Sequence, residues 1–525
     1  MTPACRAWIG TGPRALLLFS YWLNAQIDRD DPYSYHVLSV LIHAVASGLI
    51  FLIVRRLLEW SKSNPATRTL LAGFAAAVFL LHPVQTESVA YLAGRSESLS
   101  DMLAFAAFAV FLYRKHAAIG WGESAAVLAL FVAALLSKEQ TMVLPVLLVL
   151  TDYWWNPGFS LAGIRGNWRI YLPSVAGGLV GAAVIWKVLL NAETAGFHLK
   201  DFTWYQYFFT QCRALFLYIG MFLWPGSLNA DWDFPISHTV FEHGAIFGLA
   251  ALVLLAVAAW IYRRRFPLAA YGFFVYLLLM APTSSFLKIQ DPVAERRLYF
   301  SMLGLLLIAV DFLGRLKVNP RSLAYACAAV VLAAGLATHA RAAIWGNPTR
   351  LWVDTAGKSP NKFRAHFQLG FAFYDQQHYA EAVAEFEKAD RLPAADPRLR
   401  YNMLIDWALS LDGLGRSSEA IDKLREAALS ERTAHVYSQI AMIYAEQRQW
   451  PPALEALDEA QKLDAGFPMT YVYRGKIFEL TGQPAAAVRQ FQRAIALAPS
   501  PGDPANQQAQ QELLRLGNLP AGGGR

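Results

Sequence analysis

The sequence predicts an all-α chain in two unlike halves, a polytopic helical membrane domain followed by an α-solenoid. Three observations carry this. Of the 525 residues, 55% are hydrophobic and 16% charged, whereas a soluble domain usually carries about 25% charge. The apolar runs are confined to residues 35–340. Beyond residue 360 the composition turns charged and Ala-rich, and one pattern recurs four times.

A bilayer core takes about 20 apolar residues per helix. The runs give about ten spans, near 35–56, 67–82, 99–113, 121–137, 140–155, 170–190, 244–262, 267–286, 298–314 and 321–340. Segment 14–27 is too short to cross and reads as an interfacial helix. The run 204–224 carries Gln206, Gln211 and Arg213 and reads as a re-entrant or interfacial helix. One set of loops, including Arg55, Arg56, Arg114, Lys115 and Arg263–Arg265, holds fourteen Lys and Arg. The alternate set, Arg95, Lys138, Lys200, Lys288, Arg296 and Arg297, holds six. The richer set is expected on the cytoplasmic side. The chain after residue 340 is then expected outside, in a periplasm if the membrane is a bacterial inner membrane.

The net charge of +7 comes from these short loops, so it sets topology and predicts no nucleic-acid partner. Cys5, Cys212 and Cys327 are too dispersed for a disulfide framework or a metal site.

In the second half, small residues recur at Gly370, Ala408, Ala441 and Gly475, in steps of 38, 33 and 34. Ala382, Ala420, Ala453 and Ala487 follow in register, then Phe386, Leu424, Leu457 and Phe491. The pattern resembles the tetratricopeptide repeat, with its period of about 34 residues. The expected organisation is a membrane domain over 1–345, a linker over 346–362, four repeats over 363–502 and a disordered tail over 503–525. Such arrays bind proteins on a concave face. Tyr374, Tyr444 and Phe478 are the candidate protein-binding residues.

Ionisable groups at membrane depth are costly and usually functional. Three external clusters stand out. "HPVQTESVAYLAGRSESLS" brings His82, Glu87, Arg95 and Glu97 into one short loop between apolar runs. "SKEQ" places Lys138 beside Glu139, which are expected to pair with each other. "KIQDPVAERRLYF" puts Glu295, Arg296, Arg297 and Tyr299 at the mouth of a span. Two adjacent arginines outside breach the charge rule and point to an anion such as phosphate, against an Arg–Glu pair that only fixes packing. Glu87 and Glu97 are candidates for chemistry or for helix capping. His36 and His43 are read as polar contacts between helices. Asp231 and Asp233 are acceptor-groove candidates or ordinary loop acids.

"DPYSYHVLSVLIHAVASGLIF", "LHPVQTESVAYLAGRSESLS", "LLSKEQTMVLPVLLVLTD", "WPGSLNADWDFP" and "AERRLYFSMLG", in that order and followed by the repeats, resemble the transmembrane and tetratricopeptide-repeat O-mannosyltransferase family, of GT-C type. The resemblance implies transfer of a sugar, mannose in that family, from a polyprenyl-phosphate donor to protein hydroxyls. No cofactor is implied beyond this lipid-linked donor substrate. His82, Glu87 and Glu97 become the catalytic candidates, a carboxylate acting as general base. Arg95, Lys138, Arg296, Arg297 and Tyr299 become candidates for holding the donor phosphate. In "GTGPRALLLFSYWLN" the family's arginine–proline stretch is reordered as Gly12-Pro13-Arg14. The family's first span and acidic first loop have no counterpart here, so an upstream segment carrying one more span is expected, and Asp28, Asp30 and Asp31 do not take that loop's place. The alternative function is a non-catalytic membrane-anchored scaffold that recruits proteins through its repeats. A transporter would predict symmetry between halves, which the sequence does not show.

Overall fold

The computed structural model describes residues 14–28, 31–178, 201–394, 396–500 and 502–517. Cys5, Gly12, Pro13, Asp30, Lys200 and the second part of the 170–190 run lie outside them. The described residues are helical, without strands. The chain divides into two compact units, Met1–Leu351 and Trp352–Arg525.

The first unit contains α1 (Ala15–Ile27), α2 (Tyr33–Trp60), α3 (Pro65–Leu81), the short α4 (Thr86–Ala90), α5 (Arg95–Leu112), α6 (Trp121–Leu135), α7 (Leu144–Trp155) and α8 (Ala162–Gly166). Then come α9, described over residues 168–178, α10 (Trp204–Leu223), α11 (Ala245–Tyr262), α12 (Pro267–Met280), α13 (Leu298–Gly314) and α14 (Pro320–Trp345). Starts are chemically marked. Asn64 accepts from Ala66 N ahead of Pro65, and Asn319 accepts from Arg321 N ahead of Pro320, each satisfying an orphan donor of the first turn. The helices α12 and α13 pack at glycines. A Cβ on Gly304 would lie 2.5 Å from the Gly272 carbonyl oxygen, and one on Gly272 would lie 2.6 Å from that of Gly304. Small residues allow this backbone approach where no hydrophobic drive separates helix from lipid.

The ten spans expected from hydropathy reduce when helix length is added. Among the described residues, four helices are long and apolar enough to cross, at Tyr33–Trp60, Glu242–Tyr262, Glu295–Gly314 and Pro320–Trp345. A fifth is the pair Pro65–Leu81 and Pro83–Ala90, bent by 47°. The runs at α6, α7 and α12 form helices of 15, 12 and 14 residues, short of a full crossing. The run 204–224 forms one continuous helix. It buries Tyr207, Gln211, Ala214, Tyr218 and Met221 on one face, and Gln211 donates to Pro292 O at 2.9 Å.

The second unit stacks helix pairs: α16 (Phe363–Asp375) with α17 (Tyr379–Asp390), α18 (Pro397–Gly413) with α19 (Ser417–Ser430), α20 (Ala434–Glu446) with α21 (Trp450–Leu463), and α22 (Pro468–Leu480) with α23 (Pro484–Leu497). The small residues at Gly370 and Gly475 receive aromatic rings. A Cβ there would stand 2.6 Å from the rings of Phe386 and Phe491. Two expectations are corrected. The segment expected as a linker contains α15 (Pro348–Lys358), whose Trp352 and Ala356 pack on Ala365 and Leu369. The tail expected to be disordered contains α24 (Pro504–Arg515), capped by Asp503. Its Ala505, Ala509 and Leu513 form a stripe at helical spacing that packs with Tyr471, Val472 and Phe491. A closing helix with a polar outer face is what the open end of a solenoid requires.

Gly370→Val should lower the thermal unfolding midpoint of the detergent-solubilised protein, because the Phe386 ring has nowhere to move. Overpacking of this kind costs about 1–3 kcal/mol. Circular dichroism on heating measures it, and an unchanged midpoint would contradict the tight pairing.

Candidate active site

Between α3 and α5 the chain doubles back through the turn Pro83–Gln85, the helix α4 and the turn Leu92–Gly94. Gly94 permits this, since a Cβ there would meet the Glu87 carbonyl at 2.8 Å. The fold-back brings Glu87 and Glu97 to the turn Glu295–Arg297 that precedes α13. One Glu87 oxygen accepts the backbone N–H of Arg296 at 2.8 Å, and the other accepts its guanidinium. The Nε of Arg296 reaches Glu97 at 3.2 Å. Glu97 also receives the Lys138 ammonium and, at 2.6 Å, the Ser96 hydroxyl. Four charges thus form one chain, Glu87–Arg296–Glu97–Lys138.

Buried ions are tolerated only when paired and hydrogen-bonded, and these acids are both. The side chains of Glu87 and Glu97 are each 3% exposed, those of Arg296 and Lys138 29% and 16%. The cations are therefore what a ligand meets first. Glu97 lies just ahead of the apolar part of α5. Burial pushes its carboxyl up, but the Lys138 ammonium and the Arg296 guanidinium outweigh this and hold it below the usual carboxylate range.

The pairing expected between Lys138 and Glu139 does not form. Glu139 takes Arg14 instead, at 2.7 and 3.2 Å. Arg95 does not join the cluster either. It is fully buried and donates to Asn24 Oδ1 at 2.7 Å, Tyr35 O at 2.7 Å and Ser39 Oγ at 3.3 Å. It lies 4.6 Å above the Tyr21 ring. Its donors are spent clamping α1 and α2 onto α5, which leaves no fork for a phosphate. Arg297 turns away from Arg296. It is buried, donating to Pro292 O at 2.7 Å and to the carbonyl of Asp291. Tyr299 is a core residue whose hydroxyl bonds His43 Nδ1 at 2.9 Å, while His43 Nε2 bonds Leu80 O at 3.1 Å. That hydrogen bonding ties His43 to α3 and α13.

His82 makes two hydrogen bonds to backbone groups. Its Nδ1 accepts the Val84 N–H at 3.2 Å, so the proton resides on Nε2, which donates to Phe222 O at 3.0 Å. Both ring nitrogens are occupied.

One acid at the site, Asp101, escaped sequence reasoning. Asp101, one helical turn below Glu97, is buried and held by Gln140 Nε2 at 2.9 and 3.1 Å. The SKEQ turn thus meets two stacked acids, with a cation above and an amide below. The buried Glu295 accepts the backbone N–H of Asn229 and stands 3.9 Å from Arg341 of α14, tying the loop that carries Asp231 to α14. A separate network joins Asp152 with Arg114 at 2.8 Å, Asn167 at 2.6 Å and the partly buried Tyr171 at 2.5 Å, its other three members buried. Such satisfied networks fix a fold.

Beside the charged cluster lies an apolar groove of about 820 Å³. Phe74 and Val78 of α3, Leu306 and Leu313 of α13, and Ala333 and Ala337 of α14 form its walls. His82 and Pro83 line one end, and the turn Pro83–Gln85 packs on the turn Glu295–Arg297.

In the repeat unit, Tyr374 is half-buried, its ring 6.3 Å from exposed Phe371 and 6.1 Å from Tyr379. Tyr444 and Phe478 pack against the repeat cores, and the Tyr444 hydroxyl accepts from Arg425 at 3.1 Å. Both are partly buried, as Tyr374 is. Burial pushes the Asp406 carboxyl up to about 7.

The family model for the tetratricopeptide repeat matches residues 363–396. Protein O-mannosyl-transferase TMTC3 of Mus musculus is 24% identical over 539 residues, covering 92% of this chain and 57% of that protein. The Homo sapiens TMTC3 matches equally. The chain is thus similar over most of its length to proteins named protein O-mannosyl-transferases. Drosophila melanogaster Tmtc1, of the same family, is 30% identical over 42% of the chain and 27% of its own length. The chain therefore spans little more than half the length of the TMTC3 relatives. Among solved structures, the crystal structure of MamA matches 29% of this chain and 86% of its own at 20% identity, with a TM-score of 0.25.

A carboxyl whose folded value is raised from 3.8 to about 7 adds stability below 3.8 that is lost as pH rises through about 7. Asp406→Asn should therefore melt higher than the parent at pH 8 and about level with it near pH 4. A variant less stable than the parent at pH 8 would mean that the charged form is held by a partner.

Proposed function

We propose that the chain is a membrane glycosyltransferase-like protein that transfers a sugar, mannose by family, from a polyprenyl-phosphate donor to protein hydroxyls. The repeats engage the acceptor or partner proteins. One observation carries the reading. Two partly exposed cations, Arg296 and Lys138, front two buried carboxylates next to the His82–Pro83 end of an apolar groove. A polyprenyl phosphate has the matching halves, an apolar chain for the groove and an anion for the cations. The guanidinium fork suits phosphate.

The chemistry follows from the ion pairs. Donor phosphate competes for Arg296 and Lys138, and each cation it takes releases lone pairs on Glu87 or Glu97. A carboxylate so released accepts the proton of the acceptor hydroxyl as its oxygen bonds to the anomeric carbon. The anomeric carbon–oxygen bond to phosphate breaks, and the electron pair leaves with the polyprenyl phosphate, whose charge Arg296 and Lys138 hold. Base activation is thereby coupled to donor binding. The Lys and Arg bias of the sequence supports an orientation with this face and the repeats outside the cytoplasm, in the periplasm if the membrane is a bacterial inner membrane.

The scaffold reading is favoured by the same pairing, since neither carboxylate is idle. A transfer assay separates the two. The protein in nanodiscs, given polyprenyl-phosphate mannose and an acceptor protein, should produce mannosylated acceptor detectable by mass spectrometry. Arg296→Ala should lower kcat/KM by about 10²-fold, the loss typical of a preorganised donor at developing charge, and Arg296→Lys should recover little of it. Absence of transfer by the parent, with partner binding through the repeats intact, would favour the scaffold.

A further inference from the structure

His82 is buried and sits where α3 ends and proline follows. Pro83 has no N–H and forces the residue before it out of helical geometry. His82 accordingly adopts φ −81 and ψ 129. This swings its ring back so that the first available donor, Val84 N–H, reaches Nδ1. The tautomer is then fixed, and Nε2–H points at the last turn of α10, where it meets the Phe222 carbonyl at 3.0 Å. The Phe222 ring stacks on the imidazole at 5.7 Å between centroids and 14° between planes. The carbonyl of Phe222 lies in the final turn of α10, one of the four that lack an intrahelical partner. His82 therefore caps α10 from another helix.

Directly after that capped turn come Leu223 and Trp224, 70% and 80% exposed. With Phe222 they line the groove at the end where His82 and Pro83 lie. An exposed aromatic rim holds its place only if something anchors it. We propose that His82 is a positioning residue, a latch that holds the rim Phe222–Trp224 over the apolar groove and so sets its grip on a long polyprenyl chain. This rests on the lipid-donor reading above and deepens it. The imidazole serves the length of chain retained, not proton transfer. A phosphate bearing only a short chain engages the cations without reaching far along the groove, so it gains little from the rim.

The test is equilibrium binding to the full chain in nanodiscs of phosphatidylglycerol and phosphatidylethanolamine, with two probes lacking sugar: undecaprenyl phosphate and citronellyl phosphate. His82→Phe keeps a ring for the stack on Phe222 and loses both hydrogen bonds. His82→Ala loses all three contacts, and if it does not fold, His82→Phe decides. The variants should bind undecaprenyl phosphate about tenfold more weakly, a difference of about 1.4 kcal/mol, with citronellyl phosphate affinity changed less than about twofold. Parent-like affinity for the long probe would overturn the latch. An equal loss for both probes would overturn it too, because His82 would then act on the headgroup or on the whole fold. A parent protein that binds the long probe no better than the short one would overturn the groove reading itself, before any question about His82.

Discussion

Everything at this face hangs on Arg296 standing between two buried carboxylates. Without it, Glu87 would be an uncompensated negative charge among apolar helices and Glu97 would keep only Lys138, and removal of one partner from a buried pair costs about 3–5 kcal/mol. With it, a loop from the α3–α5 connection is fastened to the start of α13 by one backbone and two side-chain contacts. Lys138 adds the turn between α6 and α7 to the same knot. The ion pairs therefore serve two ends. They hold three separate connections together, and they store carboxylates in a form that only a competing anion can release.

A second constraint governs what surrounds the knot. Arginines that look equivalent in the sequence divide by burial. Arg95 is sealed among Asn24, Tyr35 and Ser39, and Arg297 is sealed among loop carbonyls. Their charges are met by neutral dipoles, so moving either toward a ligand would leave buried acceptors unpaired. Arg296 alone of the three is partly exposed with its charge balanced by acids, which makes it the one that can exchange partners. In the proposed function the apolar groove supplies the membrane half of the recognition without charge.

Much of this was legible in the sequence, and the gaps have physical causes. The repeat register was readable because a close helix pair demands a small residue at a fixed place, and Gly370 and Gly475 do meet Phe386 and Phe491. The polar clusters could be located because ionisable groups in apolar sequence are costly. Their partners could not be assigned, because Lys138 finds Glu97 across 41 residues and Arg296 finds Glu87 across 209. Adjacency suggested Lys138 with Glu139 and Arg296 with Arg297, and helical geometry separated both pairs. His82 was a catalytic candidate by family resemblance, while its contacts to Val84 N–H and Phe222 O are ones no composition reveals. The α24 stripe of Ala505, Ala509 and Leu513 was hidden among glutamines, and among the described residues helix length leaves fewer candidate spans than hydropathy alone suggests.

The central claim is that a lipid phosphate exchanges with the carboxylates for Arg296 and Lys138. Its most direct measurement is a structure of the chain in nanodiscs with undecaprenyl phosphate bound. The account predicts the chain in the groove beside Phe74 and Leu306, the phosphate within hydrogen-bond distance of the Arg296 guanidinium and Lys138 Nζ, and at least one carboxylate parted from its cation. A phosphate bound elsewhere, with Glu87–Arg296 and Glu97–Lys138 both intact, would contradict it.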